Sequence, residues 1–299
     1  MKLSINMGNY GCRYNDADSI DIVKTAGFEA MDYSLMDMVD DDAPFNQADY
    51  LERAKALRAL CDEKQIPITQ THAPFTYTAA QWDDEEYFES VIMPRMARCL
   101  EVSGILGAEI CVVHPIHHTV YRGHEEEVFE RNMAYYRRLI PYGEKYGVKI
   151  GVENMFQRDP ERRYIVASAC ADPNEFVRYI DTLNSPWITA CLDVGHVALP
   201  ISGYTAADVI RILGHDRLGA LHVHDNDYTR DQHMLPYMGK LNWAEITKAL
   251  GEVDYKGDFT YEVNGQFIFD VDEGFIPVGA KIMADVGKYL VSMVEKNRK

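Results

Sequence analysis

The hydrophobic positions along this chain fall into two alternating patterns. Short apolar runs of strand type occupy Leu3–Met7, Phe28–Tyr33, Pro67–His72, Glu109–His114, Lys149–Met155, Ile188–Val194, Leu218–His224 and Asp258–Val263. Longer stretches with helical spacing lie between and after them: Asp18–Thr25, Asp49–Lys64, Glu85–Leu106, Glu125–Tyr146, Asn174–Leu183, Ala206–Leu213, Trp243–Leu250 and Val278–Glu295. Several open on a helix-starting pattern such as Asp172-Pro173-Asn174-Glu175, and Gly27, Gly107, Gly147 and Gly214 close others. Strict strand–helix alternation predicts an α/β chain with a parallel sheet, and eight such units predict a closed (β/α)8 TIM barrel. A long doubly wound sheet is the alternative, but no Gly-x-Gly-x-x-Gly follows the first strand as its nucleotide-binding form requires. No linker, low-complexity tract or change of composition divides the chain, so a single domain over residues 1–299 is expected.

A barrel gives meaning to the polar residues at its strand ends, because the active sites of such barrels lie at the C-terminal rim. The third strand ends in His72 and the fourth in His114. The fifth carries Glu153, the sixth Asp193 with His196 shortly after, the seventh His222 and His224, and the eighth Glu262. Strand parity places Ile188, Ala190, Leu192 and Val194 toward the helices and Asp193 toward the barrel axis. By the same alternation Thr260, Glu262 and Asn264 face in, and His222 and His224 share one face. Gly195 can break the strand and let His196 swing back to the same rim. Past the seventh strand, Asp231 and His233 are again two apart.

Taken singly, each residue has a structural explanation. His72 or His114 can be a hydrogen-bonded core histidine, Asp193 can cap the next turn, and Glu153 or Glu262 can pair with an arginine. Taken together they place three carboxylates in one mouth, and buried carboxylates without partners cost several kcal/mol each, on the order given by desolvation. A divalent cation held between carboxylate and imidazole resolves that cost. His117, His118, His124 and His215 fall in loops or near helix ends and read as surface residues.

The chain carries 47 acidic against 30 basic residues, a formal charge of −17. Such a surface repels phosphate backbones, so no nucleic acid is expected as partner and a small neutral substrate fits better. The N-terminal Met-Lys-Leu-Ser-Ile is too short and polar for a signal peptide, and no apolar run reaches membrane length. Cys12, Cys61, Cys99, Cys111, Cys170 and Cys191 show no Cys-x-x-Cys spacing, which points to reduced thiols and a cytoplasmic protein; a homo-oligomer is compatible with the sequence.

The motifs Thr-His72-Ala-Pro, Val-Val-His114-Pro, Val-Glu153-Asn, Leu-Asp193-Val-Gly-His196, Leu-His222-Val-His-Asp-Asn-Asp, Asp231-Gln-His233 and Tyr-Glu262-Val resemble those of the xylose isomerase-like barrels. That superfamily includes sugar phosphate isomerases and epimerases, ketose 3-epimerases, inosose isomerases and dehydratases, and endonuclease IV. The resemblance implies a divalent ion held by Glu153, Asp193, His222 and Glu262, with Glu153 and Glu262 also exchanging the substrate proton. Endonuclease IV uses a larger set for three zincs, and its matches here are His72, His114, His196, Asp231 and His233. The choice of His222 over His224 rests on the resemblance, since parity does not separate them. Asp159 stands where ketose epimerases place a substrate-contacting glutamate. Their arginine six residues after the seventh-strand histidine is replaced by Tyr228, with Arg230 nearby. Tyr237 replaces a glycine of the usual Pro-Gly-x-Gly-x-Ile-Asp-Trp stretch.

The resemblance therefore implies a metal-dependent isomerase or epimerase of a sugar, sugar phosphate or inosose. It would abstract a proton next to a carbonyl through a metal-stabilised enediolate. His72 and His196 would hold hydroxyls, and Arg158, Arg162, Arg163 and Arg230 are candidates for a phosphate or carboxylate tail. A dehydratase or lyase on the same site is the alternative, and an endonuclease IV-like repair enzyme or a silent sugar-binding protein are others. Three carboxylates and one imidazole suit Mn2+, Mg2+ or Co2+, whereas use of the extra histidines favours Zn2+.

Overall fold

The computed structural model describes residues 1–159, 161–263, 265–269 and 271–298. Eight parallel strands form the expected barrel: β1 (Leu3–Asn6), β2 (Ala30–Ser34), β3 (Ile68–His72), β4 (Ile110–Val113) and β5 (Lys149–Glu153) come first. After an antiparallel hairpin of β6 (Phe156–Arg158) and β7 (Ile165–Ala167), the barrel resumes with β8 (Ile188–Asp193), β9 (Leu218–His222) and β10 (Phe259–Tyr261). The sheet runs in the order β10-β1-β2-β3-β4-β5-β8-β9. Its two ends meet where Val223 N donates to the Thr260 carbonyl at 2.8 Å and Glu262 N donates to Val223 O at 3.1 Å. These bonds close the ring. Asn264, expected to face inward, lies outside the described residues.

The predicted helices stand close to their expected bounds, for example Tyr50–Lys64, Glu125–Tyr146 and Pro173–Leu183. Asn15, Asp172 and Thr205 cap three helix starts with side-chain oxygens, satisfying N–H groups that helix geometry leaves free. The helix expected over Glu85–Leu106 contains a wider π turn at Phe88–Ile92, whereas Gly214, at φ 69° and ψ −175°, breaks the helix after Leu213 as expected, before a separate last turn to Arg217.

Alternation sorts the strand residues into two layers. One large apolar cluster includes outward strand residues such as Leu3, Ile5, Val152, Leu192 and Tyr261 together with helix residues such as Val23, Phe176 and Leu290. The helix Ile276–Asn297 closes tightly on β1: a Cβ on Gly287 would stand 2.4 Å from Leu3 Cδ1. Inside the barrel a small cluster of Val112, Cys191 and Ala220 forms an apolar floor. Above that floor the inward positions turn polar. In register, Asp193 faces His222 and Glu153 faces Cys191. The packed floor thus presents the charged residues as one layer at the strand C-termini. Among the described residues no helix is long and apolar enough to cross a membrane, and all six cysteines are free.

Candidate active site and metal centre

Each strand end delivers its side chain with local support. Asn154, directly after β5, accepts from Asp193 N at 2.8 Å and donates to Asp193 O at 3.0 Å, extending the β5–β8 pairing by one side chain. Beyond Asp193 the chain enters a short helix, Val194–Val197, whose first turn Asp193 caps by accepting from His196 N at 2.7 Å. Both readings of Asp193 therefore hold: it caps the turn and it faces the site. The turn brings His196 back to the rim, as the glycine predicted. Gly195 is required for closeness, since a Cβ there would stand 2.0 Å from His224 Cε1.

Glu153 sits at the centre, 1% exposed. Its Oε1 lies 3.1 Å from His222 Nδ1, and its Oε2 lies 3.0 Å from His114 Nε2 and 3.6 Å from His72 Nε2. His222 Nδ1 is also 3.4 Å from Glu262 Oε2. Glu153, Asp193, His222 and Glu262 each offer one donor atom, all within 4.8 Å of one another. The same closeness joins His72, His114 and Glu153, and His72, His222 and Glu262. A further group consists of His196, His224, Asp231 and His233. There His224 Nε2 lies 3.1 Å from Asp193 Oδ2, and His233 Nε2 lies 2.8 Å from Asp231 Oδ2. The His224 and His233 rings stack at 4.0 Å. His222 and His224, which parity left together, are thus divided between two groups.

The electrostatics are those of an anionic cluster. Burial alone would push the Glu153 carboxyl up, but His222 and His114 outweigh it and hold Glu153 well below the usual carboxylate range. Burial works the same way on Asp193, where His196 and His224 prevail and lower it. Burial pushes the His114 imidazole down to about 3, so it is neutral and has a lone pair to give. Glu153 Oε2 and Asp231 Oδ1 are buried in the site without an aligned hydrogen-bond partner among the described residues. Among the described residues the ion-pair partners of Glu153, Asp193, Asp231 and Glu262 are histidines, not lysine or arginine. Orphaned lone pairs converging in a buried, charge-rich site are what a divalent ion satisfies, and the donor set fits one.

A cavity of about 530 Å³ opens over this layer, with His72, Glu153, His196, His233 and Glu262 in its floor. Its volume suits a small ligand. Phe75, which stacks on His114 at 4.1 Å, forms a wall with Phe156, Gln157 and Arg158 of the hairpin. The arrangement is that of an enzyme active site. The sequence pattern of the xylose isomerase-like TIM barrels matches residues 20–274. The chain belongs to this family. An uncharacterized protein of Methanocaldococcus jannaschii is 26% identical over 211 residues, covering 70% of this chain and 68% of its own length. A D-psicose 3-epimerase of Enterocloster bolteae is 26% identical over 214 residues, which span 69% of this chain and 64% of the epimerase. The crystal structure of IolI protein with a bound zinc atom superposes with a TM-score of 0.73 at 16% identity, covering 99% of both chains.

Within this member of the family, not every expected residue reaches the cavity. Asp159 sits at the hairpin turn, where its Oδ1 accepts from Glu161 N at 3.0 Å and Arg162 N at 2.6 Å. Arg230, Arg162 and Arg163 are exposed and do not line the cavity, whereas Arg158 does. His117 and His118 correct the surface reading: both line the cavity, and the His118 side chain is only 12% exposed. His118 Nε2 contacts Asp83 at 2.9 Å, and the His117 carbonyl accepts from Gln157. His124 and His215 are exposed, as expected. The hairpin itself had no sequence signal, because strands of three residues carry too little periodicity to read.

Proposed function

We propose that this protein is a divalent-metal-dependent isomerase or epimerase acting on a sugar, sugar phosphate or inosose-type substrate. One observation carries the reading: two carboxylates, Glu153 and Glu262, meet Asp193 and His222 within 4.8 Å beneath a substrate-sized cavity. The D-psicose 3-epimerase relative supports the same class of reaction. Glu153, Asp193, His222 and Glu262 would hold the ion. When bound, it supplies a Lewis acid that stabilises negative charge on adjacent substrate oxygens.

The chain's own residues supply the rest. Glu153, buried and held ionised by its histidines, accepts a proton from the carbon next to the carbonyl. Glu262, 22% exposed and carrying a proton taken from solvent, gives that proton to carbon, while Glu153 releases to solvent the one it took. A proton returned to the opposite face gives an epimer, and one returned to the adjacent carbon gives an isomer. His72 and His196 have their Nδ1 atoms fixed by the carbonyls of Ala73 and Asn154 at 2.9 and 2.8 Å, so Nε2 is the atom each turns to a substrate hydroxyl. Phe75 and Phe156 exclude water from one side. Arg158 is the candidate for an anionic tail. The group His196–His224–Asp231–His233 supports a second ion beside the first, its three imidazoles favouring Zn2+; with that ion bound, His196 Nε2 is its ligand and His72 alone holds a hydroxyl.

The test is incubation of metal-free and reloaded protein with keto-sugars and inososes in deuterated water. Deuterium appearing at the α carbon only with Mn2+, Mg2+, Co2+ or Zn2+ present is expected. Loss of 18 mass units, that of about one water, would reassign the site to a dehydratase sharing the same first step. Absence of exchange across the panel contradicts the proposal.

A further inference from the structure

The histidines of the cluster are not all turned the same way. In His72, His196 and His233 the Nδ1 atom donates to a backbone carbonyl, of Ala73, Asn154 and Glu262, at 2.9, 2.8 and 2.7 Å. Their Nε2 atoms face the site. His222 is reversed. Its Nδ1 faces Glu153 Oε1 and Glu262 Oε2, and its Nε2 points away, down into the barrel. There it meets a carboxylate. Asp32, 0% exposed, projects inward from β2 and places Oδ2 3.6 Å from His222 Nε2.

The surroundings of Asp32 shape it as an acceptor aimed at that ring. Its strand neighbours in register, Asn6 on β1 and Gln70 on β3, both turn amide donors to Oδ2, at 2.9 and 3.3 Å. Among the described residues Oδ1 has no hydrogen-bond partner, and neither does His222 Nε2. A shift of a few tenths of an ångström would bring Nε2 within hydrogen-bonding distance of Oδ2. A ligating imidazole is neutral, with a lone pair on one nitrogen and a hydrogen on the other, so the group behind the ring decides which nitrogen is which.

We propose that Asp32 is a positioning residue that accepts the Nε2 hydrogen of His222 and so presents the Nδ1 lone pair to an ion shared with Glu153, Asp193 and Glu262. The inference rests on the reading that these four residues hold a divalent ion. Asp32 touches neither ion nor substrate. Its carboxylate replaces, for one histidine, the backbone carbonyl that orients the others, and as an anion it makes the ring a stronger donor to the metal.

Zinc is the probe, since it is diamagnetic and needs no substrate. Zinc affinity of wild-type, D32N and D32A proteins is measured by competition with a chromogenic chelator. Long-range 15N–1H spectra of histidine-labelled, zinc-loaded protein report the tautomer of His222, assigned with H222Q. The wild-type ring is expected to carry hydrogen on Nε2. D32N, which keeps the shape of the side chain, is expected to bind zinc about 10- to 100-fold more weakly and to lose the single Nε2–H signal. A purely structural role would lower the melting temperature of the metal-free protein without changing tautomer or affinity, and that result overturns the inference. So does a wild-type ring protonated on Nδ1. If wild-type protein binds zinc and D32N binds it equally, only the role of Asp32 falls. If wild-type protein binds neither zinc nor, in a parallel titration, manganese or cobalt at this group, the proposed function falls and this inference with it.

Discussion

Two buried acids at the mouth of the barrel, Glu153 and Asp225, have opposite surroundings. Asp225 follows β9 and is fully buried. Its Oδ1 accepts from Asn226 N at 2.9 Å and Leu241 N at 3.0 Å, and its Oδ2 from Tyr237 N at 3.0 Å and Trp243 Nε1 at 2.8 Å. Four neutral N–H donors satisfy it, and they pin the loop that carries Asp231 and His233. Glu153 meets only imidazoles, and one of its oxygens has no aligned partner. Burial does not distinguish the two. What distinguishes them is who answers the lone pairs: a saturated carboxylate is architecture, and an unanswered one awaits a ligand.

Substitutions at the two positions should therefore separate function from stability. The largest effect is expected at Glu153. E153Q should reduce α-carbon exchange by about 10²- to 10⁴-fold, the range for removal of a general acid–base group, while the melting temperature of the metal-free protein stays level or rises. A parallel loss of stability would put Glu153 in the same class as Asp225. D225N should do the reverse. Its amide must turn an NH2 toward two of the four donors, at a cost of about 3 kcal/mol, read by urea denaturation. Folded D225N protein that keeps wild-type stability would undo the contrast.

Smaller effects probe the second donor group. The G195A methyl would collide with the His224 ring, so the variant should lose one equivalent of zinc in a metal count while retaining the ion at Glu153. Loss of both ions, or of neither, counts against two separate groups. The smallest effect concerns pH. Burial depresses the His233 imidazole, but Asp231 and Glu262 outweigh it and raise it to about 9. Since the folded value exceeds the unfolded one, its stabilisation is complete below about pH 6.5 and disappears as pH rises through about 9. Metal-free protein should therefore lose stability over that window in urea titrations, and zinc-loaded protein, with a ligand in place of the proton, should not.

Much of this site was legible in the sequence because strand alternation is rigid. Once Leu192 and Val194 face the helices, Asp193 has nowhere to point but inward, and the same holds for Glu262 beside Tyr261. The reversal at Gly195 was legible too, since a residue without a side chain follows directly on a strand end. What escaped was set by distant pairing. Asp32 is one acid in an apolar strand, and its meaning depends on His222, 190 positions away along the chain. Asp225 draws its donors from a loop closure whose geometry no local pattern encodes. Asp159 matched a family position by spacing, but the hairpin of β6 and β7 carries it to a turn outside the cavity. His117 and His118 read as surface residues because the partners that cover them, Gln157 of that hairpin and Trp82 and Asp83 far back in the chain, leave no local pattern.

The account stands on a cation neutralising the acids beneath the cavity, and anomalous scattering from crystals grown with manganese or zinc tests that most directly. The predicted result is a peak bonded to Glu153, Asp193, Glu262 and the Nδ1 atom of His222. An empty map at that point, with the same carboxylates met by lysine or arginine side chains, would contradict it.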